Sequence, residues 1–152
     1  MEALKIYRQW SFFCLIMVIL LWGWTMNVEY ADAKSIIVGG NEGWHYGYNY
    51  DDWVSKAGKI CVNDFLVFKY SSPPSSPFPH SVVLLKNIHN YRACILSPGR
   101  VLAGPTQGSG GGYAFKLKKH QNYCFACGMG NATHCNAGLM KFCVKPKVLA
   151  EC

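Results

Sequence analysis

Acidic residues are scarce in this 152-residue chain: eight Asp and Glu stand against fifteen Lys and Arg. Beyond position 33 the acids are Glu42, Asp51, Asp52, Asp64 and Glu151. No pair among them suggests the two carboxylates of a hydrolytic site, and no Ser-His-Asp arrangement stands out, so hydrolysis by paired carboxylates is not expected. The glycines of Gly108-Ser109-Gly110-Gly111-Gly112 are not followed by Gly-Lys-Ser/Thr, which argues against a phosphate-cradling loop and for a flexible connection. No segment carries convincing helical amphipathicity, and nothing repeats at a fixed period. The C-terminal end has no polar spacer and apolar tail of the kind that signals a glycolipid anchor. Charged residues make up 15% of the chain and hydrophobic ones 51%, too apolar for disorder and too charged for a multi-span membrane protein.

What is present begins with a basic start, Lys5 and Arg8, followed by the apolar run Phe12 to Trp24 and the small-x-small pattern Ala31-Asp32-Ala33. The run is short of the about twenty residues that cross a bilayer. It predicts a secretory leader over 1–33 and a secreted domain over 34–152, with an uncleaved anchor as the alternative. Taking Lys5 and Arg8 from the bases and Glu2, Glu29 and Asp32 from the acids leaves that domain a net charge of +8. Such an excess favours anionic partners (acidic cell-wall polysaccharide, a membrane surface, an acidic protein), and outside the cell nucleic acid is not among them.

Eight cysteines include Cys14 in the leader, so the domain keeps Cys61, Cys94, Cys124, Cys127, Cys135, Cys143 and Cys152. The number is odd. In an oxidising compartment one thiol then has a different role, as an intermolecular bridge, a free reactive thiol or a metal ligand.

Short strands are expected at Ser35 to Val38, Lys59 to Val62, Phe65 to Tyr70, Ser81 to Leu85, Tyr113 to Leu117, Tyr123 to Cys127 and Phe142 to Val148. Asn87 to Cys94 suits a single helical turn, and Ser71 to Pro79 and Ser97 to Gly112 read as loops. The aromatic stretch Trp44, Tyr46, Tyr48, Tyr50 and Trp53 is expected to cap a core. This spacing indicates a β-sandwich or barrel. Asn131-Ala132-Thr133 is the one glycosylation sequon.

Chemistry concentrates between Cys124 and Met140, where thiols, an imidazole and a thioether fall within seventeen residues. One thiolate, two imidazoles and a weak axial thioether are the ligands of a blue-copper electron-transfer site. Cys127, His134 and Met140 supply three of these, and His80, just before a strand, is the obvious second imidazole. A Cys124-x2-Cys127 redox dithiol lacks its βαβ setting. A zinc site from Cys124, Cys127, His134 and Cys135 matches in ligand type, although the adjacent His-Cys pair argues against it. His45, His89 and His120 are read as surface or loop residues.

At these residues the sequence resembles the phytocyanins, a plant blue-copper family with plantacyanin and early nodulin-like branches. Val38-Gly39-Gly40-x3-Trp44, Asp52-Trp53, Asn63-Asp64-x-Leu66-Val67-Phe68-Lys69-Tyr70, His80-Ser81-Val82, Tyr91-x2-Cys94, Tyr123-x-Phe125-x-Cys127 and His134-Cys135-x2-Gly138 carry the likeness across the whole domain. The resemblance implies an all-β, cupredoxin-like Greek-key β-sandwich of about seven or eight strands with little helix. It also implies copper held by His80, Cys127 and His134, and a disulfide between Cys94 and Cys135. One pairing of the remaining cysteines joins Cys61 to Cys152 and Cys124 to Cys143.

Two spacings depart from the family. Six residues rather than four separate Cys127 from His134, and Leu139 occupies the slot after Gly138 where the axial residue belongs. Met140 reaches that position only if the backbone bulges. The expected function is a secreted, monomeric, type 1 copper protein that exchanges single electrons with a redox protein or small redox molecule. The alternative is a copper-free extracellular interaction or structural module in which Cys127 is bridged.

Overall fold

The structure, a computed structural model, describes residues 32–152. The segment over 1–31, with most of the expected leader, lies outside the described residues. Seven strands form two sheets. One has the order β1-β2-β5, from Ser35–Ile37, Phe65–Phe68 and Tyr113–Lys116. The other has the order β4-β3-β6-β7, from Arg100–Ala103, Val82–Leu85, Tyr123–Ala126 and Lys141–Val144. Only β1 and β2 run parallel; all other pairs are antiparallel. The chain crosses between the sheets after β2, β4 and β5, and the architecture is the cupredoxin-like β-sandwich expected from the sequence.

The alternation of strand side chains builds the core. Leu66 and Phe68 of β2 and Phe125 and Phe142 of β6 and β7 meet Trp44 and Tyr50 in one buried cluster. Trp44 meets Phe68 edge-on at 5.3 Å and Phe125 meets Phe142 tilted at 5.3 Å between centroids. Of the aromatic stretch, Trp44 and Tyr50 are core residues, whereas Tyr46 is exposed.

Strand β6 is buried along its whole length because both faces are covered. Tyr123 and Phe125 point into the main core together with Cys127, which follows the strand. Cys124 and Ala126 point the other way, into a smaller cluster with Val83, Leu85, Cys94 and Cys135. Helix α2 (Ile88–Ala93) closes that side; the Asn87 side chain caps it by accepting from Asn90 N–H, and Cys94 at φ 50° ends it. Among the described residues three disulfides form: Cys61–Cys152, Cys94–Cys135 and Cys124–Cys143. The last joins directly opposed residues of β6 and β7.

Several expectations need correction. Lys59 to Val62 is not a strand; it makes a single parallel bridge, Cys61 to Lys147. The reason is Asp64, whose buried carboxylate accepts from Cys61 N–H at 2.8 Å and Lys34 N–H at 2.9 Å, so the preceding residues turn. The aromatic stretch runs into helix α1 (Tyr50–Lys56), capped by Asn49, with Asp51 and Asp52 in its first turn. These acids favour a helix N-terminus. The loop expected over Ser97 to Gly112 contains β4, an edge strand held by β3. The last strand stops at Val144, before Pro146, which has no N–H to continue a ladder.

Candidate metal centre

Three elements bring chemistry-bearing side chains to one end of the sandwich. Cys127 directly follows β6 on its core-facing side and is fully buried. Its backbone N–H donates to Met140 C=O at 2.9 Å, which locks the ends of β6 and β7 together. His80 directly precedes Ser81 and β3, and is 7% exposed. Ser81 fixes it in place: its C=O accepts from Trp44 Nε1 at 3.0 Å and its Oγ accepts from Gly128 N–H at 2.9 Å.

The six residues between Cys127 and His134 are absorbed by a compact turn. Gly130, Asn131 and Ala132 all have positive φ, and the chain then enters helix α3 (Thr133–Asn136), which carries His134. Gly130 at φ +65° is the residue that adopts this conformation at no steric cost. Cys135, next to His134, is pinned to Cys94 at the end of α2, so the disulfide braces the histidine from behind.

The three ligand atoms form a triangle. Nδ1 of His80 lies 3.2 Å from Nδ1 of His134, and Sγ of Cys127 lies 3.9 Å and 3.5 Å from those nitrogens. A trigonal ion with bonds of about 2.0 Å to nitrogen and about 2.3 Å to sulfur would space its donors by about 3.5 Å and about 3.7 Å. The observed sulfur–nitrogen edges, 3.5 and 3.9 Å, fall on either side of that spacing, and the nitrogen–nitrogen edge, 3.2 Å, is shorter. Among the described residues this is the cluster of three metal-ligating side chains.

The electrostatics suit a cation. Burial, then the neighbouring His134 and His45, pushes the His80 pKa down from 6.5 to about 4. Burial lowers that of His134 as well. Both rings are therefore neutral at pH 7, with lone pairs to donate. Burial raises the Cys127 thiol, opposed by backbone N–H groups of Met129 and Ser81 that stabilise sulfur as an anion. Ser81 N–H lies 3.4 Å from Sγ.

Between Gly138 and Met140 the backbone turns back on itself. Leu139 adopts φ 55° and is 44% exposed, while Met140 is fully buried in the core cluster that contains Cys127. Met140 N–H donates to His134 C=O at 3.0 Å, and Lys141 N–H turns back to Leu139 C=O at 2.7 Å. The added residue is thus turned out to solvent and the methionine in.

Other candidates lie apart. His45 bonds Tyr46 C=O through Nδ1 and sits 3.5 Å from Glu42, and Nδ1 of His120 lies 2.7 Å from Pro146 C=O. Cys124 and Cys135 are both half-cystines, which removes the Cys124–Cys127 dithiol and the zinc set. Asn131 is exposed in the turn before His134. Tyr46 was not foreseen as part of the site: its ring meets His134 edge-on at 5.4 Å. Ser81 was not foreseen either, although its place beside His80 is a local signal.

No protein-family model and no curated protein sequence matches the chain. Among solved structures, cucumber stellacyanin with Cu2+ at pH 7.0 is similar with a TM-score of 0.59 and 21% identity, covering 77% of this chain and 97% of that one. Spinach plantacyanin matches with a TM-score of 0.48 and 25% identity, covering 69% and 94%. The likeness to stellacyanin is one of fold, a β-sandwich of two sheets. The protein is a cupredoxin-like β-sandwich with the fold of the phytocyanins.

Proposed function

We propose that the protein is a blue copper electron carrier whose ion would be held by Nδ1 of His80, Nδ1 of His134 and Sγ of Cys127, with Met140 as a fourth, weak ligand. The observation that carries this reading is the donor triangle, with edges of 3.2, 3.5 and 3.9 Å. Copper bound there supplies one-electron chemistry, the thiolate favouring Cu(I) and the imidazoles Cu(II).

The chain's own part is to hold the donors still and dry. Trp44, Ser81 and the Cys127–Met140 backbone bond fix two ligands from the core side. The Cys94–Cys135 bridge fixes the third. A site held this way changes little between oxidation states, so little rearrangement opposes electron exchange. His134 is the half-exposed ligand, and exposed Tyr46, Phe78 and Leu139 lie beside His134, His80 and Met140 in space or sequence. This rim is the proposed meeting place for a redox protein or a small redox molecule.

Three disulfides favour an oxidising, extracellular setting. With the leader reading of 1–33, the protein is proposed to be secreted, glycosylated at Asn131, and monomeric. The copper-free reading expects Cys127 in a bridge, whereas Cys127 is the free cysteine among the described residues.

The test is to express the protein oxidatively, add Cu(II), and record visible absorption. An intense blue thiolate-to-copper band, lost in Cys127→Ser, is the expected result. A colourless protein that retains no copper would overturn the reading.

A further inference from the structure

Away from the metal cluster, the open side of the sandwich carries a cleft of about 390 Å³ between the β5 edge of one sheet and the β3–β4 side of the other. Four cations line it: Arg100, Lys116, Lys118 and Lys119. All four are exposed, and no carboxylate lines the cleft. The described ion pairs, Lys56–Asp52 and His45–Glu42, lie elsewhere, so this positive charge is uncompensated by any acid within 4.0 Å.

The floor is aromatic. Tyr113, Phe115 and Tyr123 line the recess, with Phe115 and Tyr123 edge-to-face at 5.6 Å. The Tyr123 hydroxyl accepts from Lys119 N–H at 3.0 Å, which fixes the start of the basic segment against the cleft wall. The volume falls within the about 300–1,000 Å³ typical of small-ligand sites. A concave recess with cations around the half-buried rings of Tyr113 and Phe115 fits a polymer of anionic rings, whose carboxylates meet the cations and whose ring faces meet those two aromatics. A flat bilayer surface makes poor use of such a recess.

We propose that this cleft binds a carboxylated polysaccharide of the polyuronate class, and so holds the protein by the end of the sandwich remote from the His80–Cys127–His134 cluster. Tyr123 in the cleft and Cys127 in the cluster lie at opposite ends of β6, about 13 Å apart along an extended strand. Anchorage at one end leaves the other turned toward soluble partners. The proposal needs no copper and holds or fails apart from the function proposed above.

The test titrates the purified protein with size-defined polygalacturonate oligomers at physiological salt, with phosphatidylserine vesicles and neutral dextran in parallel. Lys118→Glu with Lys119→Glu is expected to weaken oligomer binding roughly tenfold, since it reverses charge within the recess. Lys69→Glu with Arg92→Glu makes the same change in net charge outside the cleft and is expected to cost less than about threefold. Arg100→Gln, a milder change, is expected to weaken binding in the same direction, so misfolding of the double variant would not shield the proposal. Equal losses in both double variants, an unchanged affinity in Arg100→Gln, binding to vesicles without binding to oligomers, or no binding to the oligomers would each overturn it.

Discussion

The backbone N–H of Ser81 points at Sγ of Cys127 across 3.4 Å, although the two stand forty-six positions apart in the chain. The same serine accepts from Gly128 N–H through its hydroxyl at 2.9 Å, so one residue clasps the chain on both sides of the thiol. Ser81→Ala leaves Gly128 N–H without its acceptor in a part-buried site. The expected cost is about 1 kcal/mol, read from the urea midpoint, together with a shifted blue band once copper is bound.

Acid should weaken the copper-free protein. The imidazole of His80 has its ordinary pKa of 6.5 in the unfolded chain and about 4 in the fold. Between those values the unfolded chain binds a proton that the fold resists, so stability is full above 6.5 and falls as pH drops toward 4. His134 shifts in the same direction and adds to the slope. One such group contributes at most about 1.4 kcal/mol per pH unit. Urea titrations across this window should show the slope, and His80→Gln should flatten it; an unchanged slope would contradict the assignment.

Two disulfides should separate in their effects. Removing Cys94–Cys135, which spans 41 residues of sequence, is expected to cost about 3 kcal/mol and to broaden or abolish the copper spectrum, because Cys135 adjoins His134. Removing Cys61–Cys152 is expected to lower the melting temperature while leaving the spectrum intact, since that bridge braces the segment around Cys61 and the C-terminal end. Absorption and thermal unfolding on the two double-alanine variants read both outcomes.

Tyr46→Ala uncovers one edge of His134. The side chain is 47% exposed, so stability should change by less than about 1 kcal/mol. A chelator should strip copper faster from the variant, measured as decay of the blue band. An unchanged rate would show that Tyr46 does not shield the ligand.

Asp64→Ala leaves the backbone N–H groups of Lys34 and Cys61 without their carboxylate. One buried and one part-buried bond to a carboxylate predict a loss of about 3 kcal/mol with the copper spectrum unchanged. Denaturation midpoints and absorption together distinguish this from a defect at the metal end.

The site was legible in the sequence where ligand type and neighbouring motif coincide. Cys127 ends an alternating strand, His80 precedes one, and the odd number of cysteines beyond position 33 marks one sulfur as different from the rest. The bulge that turns Met140 inward was legible as a condition, since Gly138-Leu139 leaves one residue too many. The structure resolves it by turning Leu139 outward at φ 55°. Strand β4 escaped notice because Arg100-Val101-Leu102-Ala103 lies among prolines and glycines, and its pairing with β3 is a tertiary fact. Helix α1 was hidden by its aromatics, although Asn49 followed by Asp51 and Asp52 is a local helix start. Tyr46 could not be placed beside His134 from any local pattern, because that contact spans most of the domain.

The two-faced burial of β6 also sorts sulfur chemistry while the chain folds. Four half-cystines gather on the face toward α2, and the solitary thiol lies on the other, behind a sheet no exchange reaction can reach through. A slip of one residue in the pairing of β6 would turn Cys127 outward among them and make scrambling easy. Correct strand register is therefore also what holds that sulfur apart from the half-cystines.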